Sequence, residues 1–110
     1  MCPRLICCLV CSWLLWVAPA LAGVHITDDL GRKVALNEPA TRIIALYGAF
    51  NEIIASIGQE DRLIARTNAD ELPASILQKP SIGTHLRPNP ELIIGLKPDL
   101  VIQIAGREEA

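Results

Sequence analysis

The chain has 110 residues, 51 % of them hydrophobic, and a formal net charge of −2. This length allows at most one small domain, and the slight negative charge excludes the strongly basic surface of a typical nucleic-acid binder. The four cysteines (Cys2, Cys7, Cys8 and Cys11) lie in the first 11 residues. The remainder therefore holds neither a disulfide framework nor a cysteine-based metal or redox site.

Residues 1–22 have the pattern of a cleavable export signal. Arg4 supplies the positive start, residues 5–17 form an apolar run, and Ala20 and Ala22 are the small residues that a signal peptidase requires. A membrane anchor is the alternative, but Pro19 follows too soon for a spanning helix of about 20 residues. A lipoprotein signal needs a small residue before its cysteine, and none stands there. We predict a signal peptide over 1–22 and a periplasmic mature chain over 23–110.

The mature chain begins with a predicted β-hairpin. Two short β-prone runs, residues 24–27 and 32–36, flank the turn sequence Asp28-Asp29-Leu30-Gly31. Residues 37–40 contain a proline and break the chain before the pattern changes.

Four apolar runs follow, at residues 42–46, 62–65, 81–83 and 99–104. Continuous rather than alternating apolarity indicates strands that are buried on both faces, as in a parallel sheet. Their starts lie far enough apart for the crossovers of about a dozen residues that parallel strands need. The predicted fold class is α/β, with the hairpin followed by a parallel sheet of about four strands and helical crossovers.

The segments between the runs are predicted to be helical. In the first, Phe50, Ile53, Ile54 and Ile57 share one face of a helix, and Gly58 is placed to end it. The middle segment is less regular, with a short helix predicted over residues 73–78.

The last crossover carries the clearest helix signals. Asn89 is a candidate N-cap, Pro90 suits the first helical position, and Glu91 suits the positive end of the helix dipole. Pro98 ends the helix. Its predicted buried face consists of Leu92, Ile93 and Leu96.

Ligands of open parallel sheets bind beyond the carboxyl ends of the strands. There Tyr47 could stack on a bulky ligand, and Arg66, Arg87 and Arg107 could bind its anionic groups. Each residue also has a purely structural interpretation: Tyr47 covers the first helix, two of the arginines are solvated strand ends, and the histidine is an ordinary loop residue. The candidates in these loops are Tyr47, Arg66, His85, Arg87 and Arg107.

No enzyme signature is present: neither a glycine-rich nucleotide-binding loop, a nucleophile elbow nor a zinc-protease motif occurs. An exported enzyme would have to pair a serine such as Ser56 or Ser75 with His85. That class remains an alternative, as does a truncated product without binding activity.

Taken in order, several segments resemble the front of a periplasmic substrate-binding protein of the iron–siderophore/cobalamin/heme class, the receptor of an ABC importer. The most specific stretch is Leu96-Lys97-Pro98-Asp99-Leu100-Val101-Ile102. The other segments are residues 26–32, 42–46, 51–54, 57–58, 61–65, 80–83 and 89–93.

The resemblance implies two α/β lobes joined by a long helix, with this chain forming part of the N-terminal lobe. It adds Gly48 and Thr84 to the cleft candidates and makes Glu91 the residue that docks on the permease at the inner membrane. The implied ligand is a ferric siderophore or cobalamin. Heme ranks behind them because Thr84 stands where heme-binding members often carry an axial tyrosine. No cofactor, protein-bound metal or catalytic residue is implied.

Overall fold

The computed structural model describes residues 23–106. The predicted signal peptide and Arg107 lie outside these residues. The hairpin is confirmed: β1 (Val24–Thr27) pairs antiparallel with β2 (Lys33–Leu36). Asp28 holds the turn, because its Oδ1 accepts hydrogen bonds from the backbone amides of Leu30 (3.0 Å) and Arg32 (2.7 Å). Gly31 adopts the positive φ of 77° that the turn requires.

A parallel sheet follows the hairpin, as predicted. Its regular strands are β3 (Ile43–Ala45) and β4 (Leu100–Ile102), which pair in parallel with Ile43 opposite Leu100. The second apolar run joins the free side of β3 through a parallel bridge between Ile43 and Leu63, and the third joins the second through a parallel bridge between Arg66 and Ser81. The spatial order is therefore β4, β3, second run, third run.

The second and third runs are shorter in the structure than the predicted strands. Ile64 donates its amide to the carbonyl of Ile43 (3.0 Å), and Ile82 donates to the carbonyl of Arg66 (2.9 Å). The second run makes one backbone hydrogen bond to β3 and three to the third run, and neither run forms a strand of regular length.

Four helical segments connect these runs. The α-helices are α1 (Gly48–Ser56) and α2 (Pro90–Leu96), and the 3₁₀ helices are Glu60–Arg62 and Ala74–Gln78. The second 3₁₀ helix agrees with the short helix predicted for the middle crossover. Among residues 23–106, no helix combines the length and apolarity needed to cross a bilayer.

The core forms on both faces of β3, which explains the unbroken apolarity of that strand. One cluster of buried residues comprises Ile43, Ala45, Ile54, Leu63 and Ile76. The other comprises Ile44, Leu46, Ala65 and Ile82, with Ile93 and Leu96 of α2 packed against it. The sheet therefore lies between α1 and the second 3₁₀ helix on one side and α2 on the other.

The predicted apolar face of α1 is only partly covered. Ile54 is 8 % exposed, whereas Ile53 and Ile57 are 56 % and 67 % exposed. The sheet instead covers a face that includes the fully buried Asn51. Gly58 ends this region with a φ of 77°, as predicted.

The predicted limits of α2 are confirmed. The Asn89 side chain accepts from the backbone amides of Glu91 (3.0 Å) and Leu92 (3.2 Å), which satisfies two donors at the helix start. The helix ends at Leu96, and its C-cap Lys97 has a φ of 52° and directly precedes Pro98. Leu92, predicted to be buried, is 48 % exposed.

Asp99 fastens the start of β3 to the start of β4. Its Oδ2 accepts from the Thr41 amide (2.9 Å) and hydroxyl (3.1 Å), and its Oδ1 accepts from the Arg42 amide (2.9 Å). These bonds, with that from the Thr41 amide the largest cause, lower the pKa of Asp99 below its usual value.

A lowered pKa makes the contribution of Asp99 to stability dependent on pH. The contribution is fully present above the unfolded-state pKa of about 3.9 and is lost as the pH falls through the lower folded-state value. We expect Asp99→Asn to lower the urea midpoint at neutral pH, because an amide has one acceptor oxygen where the carboxylate has two. We also expect a smaller decline of the midpoint in acid, because an amide does not titrate.

Asp29→Asn is the matched control. The Asp29 side chain is exposed in the hairpin turn and makes no side-chain hydrogen bond within the described residues. Urea unfolding at about pH 7 and about pH 3 should give this variant the wild-type pH dependence. If Asp99→Asn behaved in the same way, the role of Asp99 as a fastener would be refuted.

Candidate functional site

A cleft of about 440 Å³ opens beyond the carboxyl ends of the parallel runs. Three segments form its walls: the start of α1, the loop that follows the second run, and the loop that follows the third run. Its lining residues are Tyr47, Gly48, Ala49, Glu52, Ala69, Asp70, Glu71, Leu72 and His85.

Tyr47 forms the aromatic wall of the cleft. It precedes α1 in an extended conformation, and 41 % of the residue is exposed. Its ring meets Phe50 edge-on at a centroid distance of 5.8 Å and meets His85 edge-on at 6.3 Å. Tyr47 therefore packs on the first helix and also offers ring surface to the cleft, so its two predicted roles are compatible.

His85 reaches the cleft because the loop after the third run is closed tightly. The Asn89 amide donates to the carbonyl of Ile82 (2.7 Å) across the base of this loop. Gly83 has a φ of 102°, and a Cβ at this position would lie 2.8 Å from the carbonyl oxygen of Arg87. Any side chain at Gly83 would therefore open the loop and displace His85 from Tyr47.

Thr84 and Arg87 belong to the same loop but do not line the cleft. The Thr84 hydroxyl accepts a hydrogen bond from the Arg87 amide (3.0 Å), and both residues are exposed. They lie beside His85, at the rim.

Arg66 is held away from the cleft. Its guanidinium donates to the backbone carbonyls of Lys79 (3.3 Å) and Thr67 (3.1 Å). Arg107 lies outside the described residues. Of the ligand candidates, the structure brings together Tyr47, Gly48 and His85 as lining residues.

The lining is acidic. Glu52 and Glu71 are exposed beside it, and the carboxylate of Asp70 lies at its floor. Among the described residues, no lysine or arginine contributes to the lining. The sequence directed attention to arginines, whereas the geometry places carboxylates there.

Sequence reasoning missed a buried polar cluster beneath the cleft. It consists of Asn51, Thr67 and Asp70, which are 0 %, 1 % and 4 % exposed. The available signal was the position of Asn51, which precedes Ile54 by three residues and so shares the buried face of α1. Within residues 23–106, no three histidine, aspartate or glutamate side chains are arranged to hold a metal ion.

Comparison with known proteins gives a consistent result. The sequence model of the periplasmic binding protein family matches residues 43–109. A vitamin B12-binding protein of Vibrio cholerae serotype O1 is 38 % identical over 64 residues, 58 % of this chain and 23 % of the relative. The ABC transporter substrate-binding lipoprotein YvrC of Bacillus subtilis is 29 % identical over 79 residues, 72 % of this chain and 25 % of the relative.

A solved structure agrees with these sequence relatives. The heme binding protein HmuT superposes with a TM-score of 0.64 at 33 % identity, and the match covers 77 % of this chain and 28 % of that protein. The chain thus spans about a quarter of the length of the relatives it matches.

Proposed function

Because the chain belongs to the periplasmic binding protein family, we propose that it captures a metal chelate outside the cytoplasm and delivers it to an ABC importer. The observation that carries this proposal is the family match over residues 43–109, which includes all three segments that form the cleft. The relatives named above are binding proteins, and we propose that this chain likewise holds its ligand without altering it. The cleft that the described residues form would be one side of the ligand site.

The chemistry of the cleft favours one class of chelate. Exposed ring surface at Tyr47 suits a large, flat ligand, and the carboxylates of Glu52 and Glu71 accept hydrogen bonds from amide groups. A corrinoid such as cyanocobalamin carries amide side chains, whereas heme carries carboxylates that these glutamates would repel. The similarity to a vitamin B12-binding protein supports the same choice. We therefore propose a corrinoid as the ligand, ahead of ferric siderophores and heme.

Titration with three chelates tests the proposed ligand class. We expect cyanocobalamin to bind more tightly than hemin or a ferric siderophore, measured by absorbance and calorimetry. In the double variant Glu52→Gln/Glu71→Gln, we expect hemin affinity to rise about tenfold, because the glutamates no longer repel the heme carboxylates. The difference in affinity between cyanocobalamin and hemin should therefore become smaller.

The control is Glu38→Gln, which neutralises an exposed carboxylate that does not line the cleft. Its affinities should match those of the wild type. Failure of the chain to bind any of the three chelates would contradict the proposed function. If the three chelates bound equally well and the double variant did not change their affinities, the role of the glutamates would be contradicted.

The remaining sequence candidates have subordinate roles in this proposal. Thr84 and Arg87 stand at the rim, where they can contact the outer edge of a bound chelate. Arg66 supports the site by holding two backbone carbonyls. Arg107 remains a proposed ligand contact that follows β4.

We further propose that Glu91 docks the lobe on the permease. It lies in the first turn of α2, is exposed, and makes no side-chain hydrogen bond or ion pair within the described residues. The first turn of α2 follows the loop of His85 and so lies at the same edge of the sheet as the cleft. A carboxylate in this position is free to pair with a basic residue of a partner.

We expect Glu91→Ala to leave chelate affinity unchanged and to reduce uptake of labelled cyanocobalamin by cells several-fold, about the effect of losing one interfacial charge pair. The Asn89 cap persists because it uses the backbone amide of residue 91. Glu38→Ala serves as the matched control. Normal uptake by the Glu91 variant would remove the docking assignment.

A further inference from the structure

A carboxylate that is almost completely buried connects two walls of the cleft. Asp70 is 4 % exposed, and its Oδ2 accepts hydrogen bonds from the Asn51 side-chain amide (3.0 Å) and the Thr67 backbone amide (2.7 Å). Asn51 belongs to the first turn of α1, which begins directly after Tyr47. Asp70 belongs to the loop that supplies the opposite wall.

The same carboxylate lies directly below the first residue of α1. A Cβ built on Gly48 would approach Asp70 Oδ1 to 3.0 Å, closer than nearly all ordinary side-chain contacts. Glycine at this position therefore lets the helix start settle on the carboxylate. Both the contact and the Asn51 bond therefore lie at the start of α1, close to Tyr47 in the chain.

Hydrogen bonds continue from this cluster to the third wall. The Asn68 amide donates to the carbonyl of Gly83 (2.8 Å), and the Asn68 side-chain oxygen accepts from the Ser81 hydroxyl. Gly83 leads into the loop that carries His85. The cluster and these two bonds are joined through the peptide bond between Thr67 and Asn68.

Asn51 Oδ1 and Thr67 Oγ1 are buried and have no hydrogen-bond partner among the described residues. A buried acceptor without a partner is costly, and apolar side chains of the same size would avoid that cost. The hydrogen bonds that the cluster makes fit a role in geometry, since they impose direction that apolar packing lacks.

We propose that Asn51 and Asp70 are positioning residues that hold the aromatic wall at Tyr47 in register with the other two walls of the cleft, the loop that contains Asp70 and the loop that contains His85. Neither is required to touch the ligand. The effect on ligand affinity rests on the proposed function, whereas the effect on the position of Tyr47 does not.

Two variants of Asn51 test the proposal. Asn51→Ala and Asn51→Leu both remove the bond to Asp70, and the leucine also fills the buried volume, so it leaves a smaller cavity than the alanine. Asp70→Asn is the conservative counterpart, because its amide oxygen can still accept from both donors. Far-UV circular dichroism and thermal melting identify which variants are folded.

The first measurement needs no ligand. Tyr47 is the single tyrosine of the chain, so its ring signals are unambiguous in an NMR spectrum. We expect the wild type and Asp70→Asn to show the nuclear Overhauser contact between the rings of Tyr47 and His85, and the folded Asn51 variants to lose it. The second measurement is titration with cyanocobalamin, where we expect the Kd of the Asn51 variants to rise about tenfold.

The outcomes separate the two proposals. If the wild type binds no chelate, the proposed function fails, while the ring contact still decides the positioning role. If a folded Asn51 variant retains the ring contact, the positioning role is overturned. It is also overturned if both Asn51 variants unfold, because the cluster would then be purely structural, or if Asp70→Asn behaves like them.

Discussion

Replacing Ile44 with alanine is expected to destabilise the chain by about 2–5 kcal/mol. Ile44 occupies the middle of β3 and is 0 % exposed. It packs with Leu46, Ala65 and Ile82 between the sheet and α2. The sheet backbone cannot collapse into the space that the substitution leaves, so the lost contacts add to the lost burial. This is a large part of the total for a small domain, which is typically about 5–15 kcal/mol.

Urea unfolding followed by circular dichroism gives the change in the free energy of unfolding. The matched control is Ile94→Ala, which removes the same atoms from a residue of α2 that is 73 % exposed. This control should change the free energy of unfolding by no more than about 0.5 kcal/mol. Comparable losses in the two variants would mean that β3 is not the centre of the core.

Replacing Tyr47 with alanine should raise the Kd for cyanocobalamin about thirtyfold or more, the effect of truncating an aromatic residue at the centre of a binding surface. Tyr47 lines the cleft, is 41 % exposed, and its ring contacts Phe50 and His85. Stability should change little by comparison with Ile44→Ala, because much of the ring is already in contact with water.

Tyr47→Phe keeps the ring and should retain most of the affinity. Leu77→Ala serves as a second control, since Leu77 is an apolar residue, 54 % exposed, that does not line the cleft. Calorimetric titration gives the Kd of Tyr47→Ala, Tyr47→Phe and Leu77→Ala for cyanocobalamin. An unchanged Kd for the alanine variant at position 47 would exclude stacking on this ring.

The position of the cleft could be predicted because it follows from the direction of the strands. Runs that are all parallel end at one edge, and so the loops containing Tyr47 and His85 had to approach each other. Arg66 shows the limit of that rule. The direction of the strand places the backbone of Arg66 at the edge of the sheet. The position of its guanidinium depends instead on hydrogen bonds to the carbonyls of Lys79 and Thr67.

The sequence by itself determined the elements whose cause is local. The turn held by Asp28 and the helix start capped by Asn89 depend on neighbouring residues, whose relative positions the chain constrains. Only the tertiary structure decided which face of α1 is covered, and that Asp70 meets Asn51 while Asp99 meets Thr41, 58 residues away. Such contacts join segments that are distant in the chain, so their partners exist only once the sheet has brought them together.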